Sequence, residues 1–275
     1  MSAKPPDNQP RDTPGFSDFA IFRIKATGLQ INRMVHNLLR NETARFAINE
    51  RTADEAIIAE CTTRLWTDHD DSERYLLAGK IHNLRLALRR LNGVEIPAGK
   101  TFSFWTQVGR ASMLKGYVAG RELREGCIIP TVGGGLCQLS NALYDAALSA
   151  GFEIIERHAH TQLVPGSIAQ IGRDATVFWN YVDLRFKWSF PFRIEAMMDA
   201  DNLTVRFRSN NQNSQPVQSN GKKVMVAAAS TSPQCCVTCN AHDCFRHIER
   251  KVGDFGRSAY LLDEYYRNTT TTYVR

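Results

Sequence analysis

The stretch Gly133-Gly134-Gly135-Leu136-Cys137-Gln138-Leu139-Ser140 runs into Asn141-Ala142-Leu143-Tyr144-Asp145-Ala146-Ala147-Leu148-Ser149-Ala150-Gly151. Leu136, Leu139, Leu143, Ala146 and Ala150 recur at steps of three and four, which is one apolar face of a helix. Gln138, Asn141, Asp145 and Ser149 fall on the other face. Gly151 is a natural stop, because glycine adopts positive φ at little cost. Inside a helix each of the three leading glycines costs roughly 1 kcal/mol relative to alanine. They therefore belong to a loop that turns sharply, or to one whose backbone is approached closely by a ligand. Cys137 falls in the first helical turn, where N–H groups and the helix dipole favour an anion. Two readings follow. Cys137 is an activated thiolate nucleophile, or it is a small buried apolar residue.

The chain has 275 residues, 43% apolar and 23% charged, the composition of a soluble globular protein. Its net charge of +6 suits an acidic partner or a membrane surface without requiring either. No RNA-recognition, helix-turn-helix or P-loop pattern is present, so no nucleic-acid partner is expected. The first fourteen residues are polar and lack the apolar core of an export signal. No apolar run reaches membrane-spanning length. Seven cysteines make an odd set with no disulfide framework. The expectation is a cytoplasmic protein with reduced thiols, able to associate with a membrane.

Residues 1–15 read as a disordered tail and 16–71 as a helical extension. Phe19, Phe22, Ile24, Leu29, Ile31, Met34, Val35, Leu38 and Leu39 among Arg23, Lys25, Arg33 and Arg40 make a basic amphipathic helix, weakened near Thr27-Gly28. It packs on the main domain, or it meets an anionic membrane surface or a partner. Asp68, His69, Asp70 and Asp71 form either a hard-cation site or an acidic turn capping the next helix. That helix spans 72–91. Its polar His82 and Asn83 adjoin the apolar stripe and are read as satisfied or surface residues, with a site-facing role as the alternative.

Short strands are expected at 101–105 and 126–130, the latter packing Cys127. The stretch 152–161 reads as a strand that points His158 and His160 the same way, about 7 Å apart. Segments 175–180, 183–186, 192–196 and 203–207 read as an antiparallel meander. The fold class is α+β: N-terminal helices and a central Cys-bearing helix packed on a mainly antiparallel sheet. Residues 209–222 have linker composition, and 223–275 form a Cys-rich tail. There Cys236, Cys239, Cys244 and His247 supply four ligands within twelve residues. They suit zinc, or an iron–sulfur cluster if Cys235 joins. Unligated thiols are the alternative, and no cofactor is expected in the main domain.

Cys137, then His158 or His160, then Asp174 or Asp183, follows the order nucleophile, base, orienter. His160 and Asp174 are the first choices. The glycine N–H groups beside Cys137 are candidate oxyanion donors. In a non-catalytic reading, Gly133, Gly134, Gly135 and Gln138 grip an anionic ligand, with Arg173 and Arg157 nearby.

The segments Phe102-Ser103-Phe104-Trp105, Gly116-Tyr117, Gly133 to Ser140, Glu156-Arg157-His158-Ala159-His160 and Gly172-Arg173-Asp174-Ala175-Thr176-Val177 resemble the VanW family. The likeness covers roughly 75–208, within a domain drawn at 72–208. The resemblance implies a bacterial protein connected with cell-wall peptides or glycopeptide resistance, and it supplies no reaction. Together these readings lead to a cysteine-dependent hydrolase or acyl/peptidyl transferase acting on a cell-wall-related amide or peptide. The alternative is an accessory protein that binds a small peptide or other anionic ligand.

Overall fold

The computed structural model describes residues 16–40, 44–49, 55–66, 74–124, 127–160, 172–210 and 234–235. In chain order the elements are α1 (Phe16–Arg40), β1 (Ala56–Arg64), α2 (Arg74–Leu91), β2 (Val94–Ile96), β3 (Thr101–Ser103), α3 (Phe104–Val108), β4 (Ala119–Arg124), β5 (Cys127–Val132), α4 (Leu136–Ser149), β6 (Glu153–Glu156), β7 (Arg185–Lys187), β8 (Phe192–Met198), β9 (Asn202–Ser209) and β10 (Gln234–Cys235). This is the expected α+β arrangement.

The main sheet is antiparallel, in the order β1-β9-β8-β2. In β9 the alternation is strict, with Leu203, Val205, Phe207 and Ser209 turned inward. Helices α2 and α4 lie against this sheet and share its core. A second, three-stranded sheet, β3-β7-β6, is joined to the first by aromatic packing. Phe152, just after α4, stacks on Phe207 at 5.0 Å and meets Phe192 edge-on at 4.6 Å. It also touches Phe186, which stacks on Phe102 at 4.7 Å. The β4–β5 hairpin carries β10 parallel to its β5 edge.

Helix α4 follows its sequence pattern. Leu136, Leu139, Leu143 and Ala146 are buried, and Gly151 ends it with φ +70°. Other expectations change. Residues 56–64 fall in the segment drawn as a helical extension, where Ala56-Ile57-Ile58 is read as the start of a strand or a short helix; they form an edge strand of the main sheet, because Ile57, Ile58, Thr62 and Thr63 favour extended backbone. The strand expected over 152–161 stops at Glu156. The four-strand meander is not one sheet: β7 has β3 and β6 on its two edges, and 175–180 makes only the isolated bridge Phe178–Val182. Alternation marks a strand but does not choose its partner.

Helix α2 approaches β4 at Gly79, where a Cβ atom would lie 1.9 Å from the Ala119 carbonyl oxygen. Gly79→Ala is therefore expected to lower stability to urea denaturation by about 1–3 kcal/mol. Gly28→Ala, in α1 with nothing within 4 Å, is expected to leave stability unchanged or slightly raised.

Candidate active site

The start of α4 is set by glycines packed against protein rather than left open. Gly133 and Gly135 have φ of +82° and +99°, a region that side chains disfavour. A Cβ on Gly134 would lie 2.3 Å from the Gly120 carbonyl oxygen, and one on Gly120 would lie 2.5 Å from that of Gly134. A Cβ on Gly135 would strike Lys80, whose buried ammonium donates to the Leu65 carbonyl at 2.5 Å. Burial, and secondarily the charge of Arg121, lower the Lys80 pKa to about 7.

Asn83, fully buried, ties the loop down. Its Nδ2 donates to Val118 O (2.9 Å) and Gly134 O (3.0 Å), and its Oδ1 accepts from Val118 N (3.0 Å). The N–H groups of Gly133 and Gly134 donate to Val118 O and Thr131 O. Those two amides are thus engaged within the fold, and not turned to a ligand.

Cys137 is the second residue of α4 and is half-buried. Its Sγ lies 3.8 Å from both Thr176 Oγ1 and the Val177 carbonyl oxygen. The segment after Gly172 is drawn alongside α4 by the helix's polar face. Asn141 Oδ1 accepts from Ala175 N at 2.8 Å, and Ser140 Oγ donates to Ala175 O at 2.6 Å. Arg173 pairs with the Asp145 carboxylate and donates to Ser149 Oγ at 2.6 Å. Gln138 reaches the opposite way, donating to Thr63 Oγ1 (3.0 Å) and Arg64 O (2.7 Å) at the end of β1. The stripe Gln138, Asn141, Asp145, Ser149 is therefore a second interface of the helix. Gln138 and Arg173, candidates for ligand contact, are both held by protein groups.

That clasp delivers Asp174. Its carboxylate is buried, and Oδ2 accepts from both the backbone N–H and the ring Nδ1 of His160, each at 2.7 Å. Oδ1 accepts from Arg157 Nη2 at 2.7 Å, while Arg157 Nε donates to the Asp174 carbonyl at 2.7 Å. The Arg157 guanidinium also lies over the Tyr144 ring, 5.1 Å from its centroid. With Nδ1 held by Asp174, the other nitrogen of the His160 ring is left for the Cys137 side chain, whose influence raises the ring's pKa. His160 and Asp174 are thus bonded to each other, and Cys137 acts on the ring from its other side.

The protonation of these groups follows from their contacts. Burial pulls the His160 pKa down, but hydrogen bonding to Cys137 and its charge, then the same influences from Asp174, raise it to about 9. For Asp174, burial pushes up. The hydrogen bonds from His160, with the charges of His160 and Arg157, outweigh it and hold the carboxyl below its usual range.

The alternates lie elsewhere. His158 is exposed and pairs with Glu156 at 3.3 Å. Asp183 is a structural carboxylate: it accepts from Ser103 Oγ (2.6 Å), Trp105 N (3.1 Å) and Arg185 Nε (2.9 Å). Burial raises its pKa despite these donors. Cys61 is buried, and burial followed by the Asp145 carboxylate pushes its thiol pKa up. Cys236, Cys239, Cys244 and His247 lie outside the described residues, as do Asp68, His69, Asp70 and Asp71. Sequence placed Arg157 only near a ligand of the glycine loop; its bonds to Asp174 had no signal beyond a basic residue one position before His158.

Residues 79–208 match the family described as VanW like protein. The chain is 34% identical over 131 residues to the uncharacterized protein YoaR of Bacillus subtilis (strain 168), covering 47% of this chain and 43% of that protein. It is 32% identical over 134 residues to the vancomycin B-type resistance protein VanW of Enterococcus faecalis (strain ATCC 700802 / V583), covering 48% of this chain and 49% of that protein. The matched region is thus a little under half the length of each of these curated relatives. No solved structure matches significantly.

His160 should titrate near 9 when its ring carbons are followed by NMR, and Cys137→Ala should lower that midpoint by removing the first influences that raise it. Since the folded value is raised, protonated His160 favours folding. The contribution is complete below about pH 6.5, the ordinary value, and is lost as pH rises through the folded one. A wild-type midpoint at the ordinary value contradicts the thiol–imidazole contact.

Proposed function

We propose that this protein, whose residues 79–208 match the VanW like family, is a cysteine-dependent hydrolase or acyl/peptidyl transferase. The observation that carries the proposal is the His160 ring, bonded at Nδ1 to buried Asp174 and held protonated by that carboxylate and by Cys137. Asp174 fixes the imidazole's orientation and, with Arg157 behind it, stays ionised. His160 stays protonated at neutral pH beside the sulfur, the state in which a thiolate attacks and an imidazolium gives up its proton.

In the proposed reaction the Cys137 thiolate adds to an amide carbonyl carbon. The carbonyl oxygen takes the electron pair and is stabilised by N–H groups at the start of α4. The C–N bond then breaks as His160 protonates the departing amine, leaving a thioester on Cys137. Water or an acceptor amine, deprotonated by His160, attacks the thioester and restores the thiolate. The name of the Enterococcus relative supports a cell-wall-related amide or peptide as substrate. A purely ligand-gripping role through the glycine loop has less support, because Gly133, Gly134, Gln138 and Arg173 are bonded within the protein.

Iodoacetamide should modify Cys137 at neutral pH faster than a free thiol. His160→Ala should abolish that advantage. Turnover of amide substrates should be lost in Cys137→Ser and fall by about 10²–10⁴ in Asp174→Asn. Peptide mass analysis after timed alkylation reads the first effect. A Cys137 no more reactive than a free thiol, and indifferent to His160→Ala, would sink the enzyme proposal.

A further inference from the structure

Helix α1 docks on the domain by its polar side. At positions 26, 30, 33 and 37, steps of four and three, it presents buried Ala26 and three polar residues. Gln30 Nε2 donates to Trp179 O at 2.8 Å. Arg33 pairs with Glu156 and donates to Tyr181 O at 3.2 Å. Asn37 Oδ1 accepts from Arg185 Nη2 at 2.8 Å. The opposite side holds Ile21, Ile24, Ile31, Met34 and Val35, which are 47% to 72% exposed. Gly28, within that stripe, has nothing within 4 Å of where a Cβ would stand. Water-facing aliphatics along a helix already fixed by its polar side mark an interaction surface.

We propose that this stripe of α1 lies on an anionic lipid bilayer surface. The charge of the helix argues for a lipid over a second copy. The sequence of α1 carries Arg23, Lys25, Arg33 and Arg40 against one carboxylate, Asp18, and Arg33 is already paired with Glu156. Two copies joined along the stripe would bring like-charged flanks together with few carboxylates to offset them. Arg40, seven residues after Arg33, falls on the same docked side, so an anionic headgroup layer meets the flanking cations, Lys25 foremost, while the aliphatics enter the acyl boundary. Exposed Lys25 stands about 100° around the helix from Ile24, the flanking position for a headgroup contact. No helix among the described residues is long and apolar enough to cross a membrane, so α1 rests on the surface rather than spanning it.

The full-length protein should float with vesicles containing phosphatidylglycerol, far less with phosphatidylcholine alone, and less as salt is raised. Ile24→Asp or Ile31→Asp, at exposed positions that leave the fold and the His160 titration intact, should cut partitioning about tenfold or more. Lys25→Glu should weaken binding to the anionic vesicles. Equal partitioning of wild type and Ile31→Asp, or equal binding to neutral vesicles, overturns the proposal. So does a dimer in ultracentrifugation that Ile31→Asp dissociates while no vesicle binding is seen. Alkylation of Cys137 is independent of all these outcomes.

Discussion

Two stretches of backbone meet at Gly120 and Gly134 with no room for a side chain on either. The contact has to exist for α4 to begin where it does. It presses β4 onto the loop, and Asn83 from α2 saturates the amide groups that the contact removes from water. An unpaired amide there would cost about 1–3 kcal/mol. α2, the hairpin and α4 are thereby locked together before any chemistry is considered. The sulfur at the second position of α4 inherits its placement from that lock.

The two buried aspartates divide the work between site and scaffold. Asp183 ties β3, α3 and β7 together through Ser103, Trp105 and Arg185, and its environment favours the neutral form. Asp174 is equally hidden from solvent, yet His160 and Arg157 favour its charge. Equal burial leaves the two carboxylates with opposite shifts; what separates them is a titratable ring on one and a wall of fixed donors on the other.

Helix α4 was legible because its signals are local: an apolar step of three and four, glycines before it and Gly151 after it. The pairing of His160 with Asp174 was legible only as an order of residue types following a cysteine at a helix start. What escaped reading depends on distant partners. The polar stripe of α4 looked like a wet face, yet Asn141, Asp145 and Ser149 bind the segment around Ala175 and Arg173, and Gln138 binds β1. For the glycines a sharp turn and a ligand cradle both stayed open, because nothing local reveals Gly120 or Lys80 as their neighbours. β1 lies outside the region matched to the family, yet its edge completes the sheet and anchors Gln138.

The short parallel contact of Gln234 and Cys235 with Cys127 and Ile128 closes one side of the hairpin sheet. A protein trimmed back to the family boundary would lose that cover. The margin of β5 would then offer unsatisfied amides and carbonyls to any passing extended peptide, inviting self-association. Gln234 and Cys235 are therefore fastened to the strand that feeds the glycine turn, and removing them alters the domain left behind.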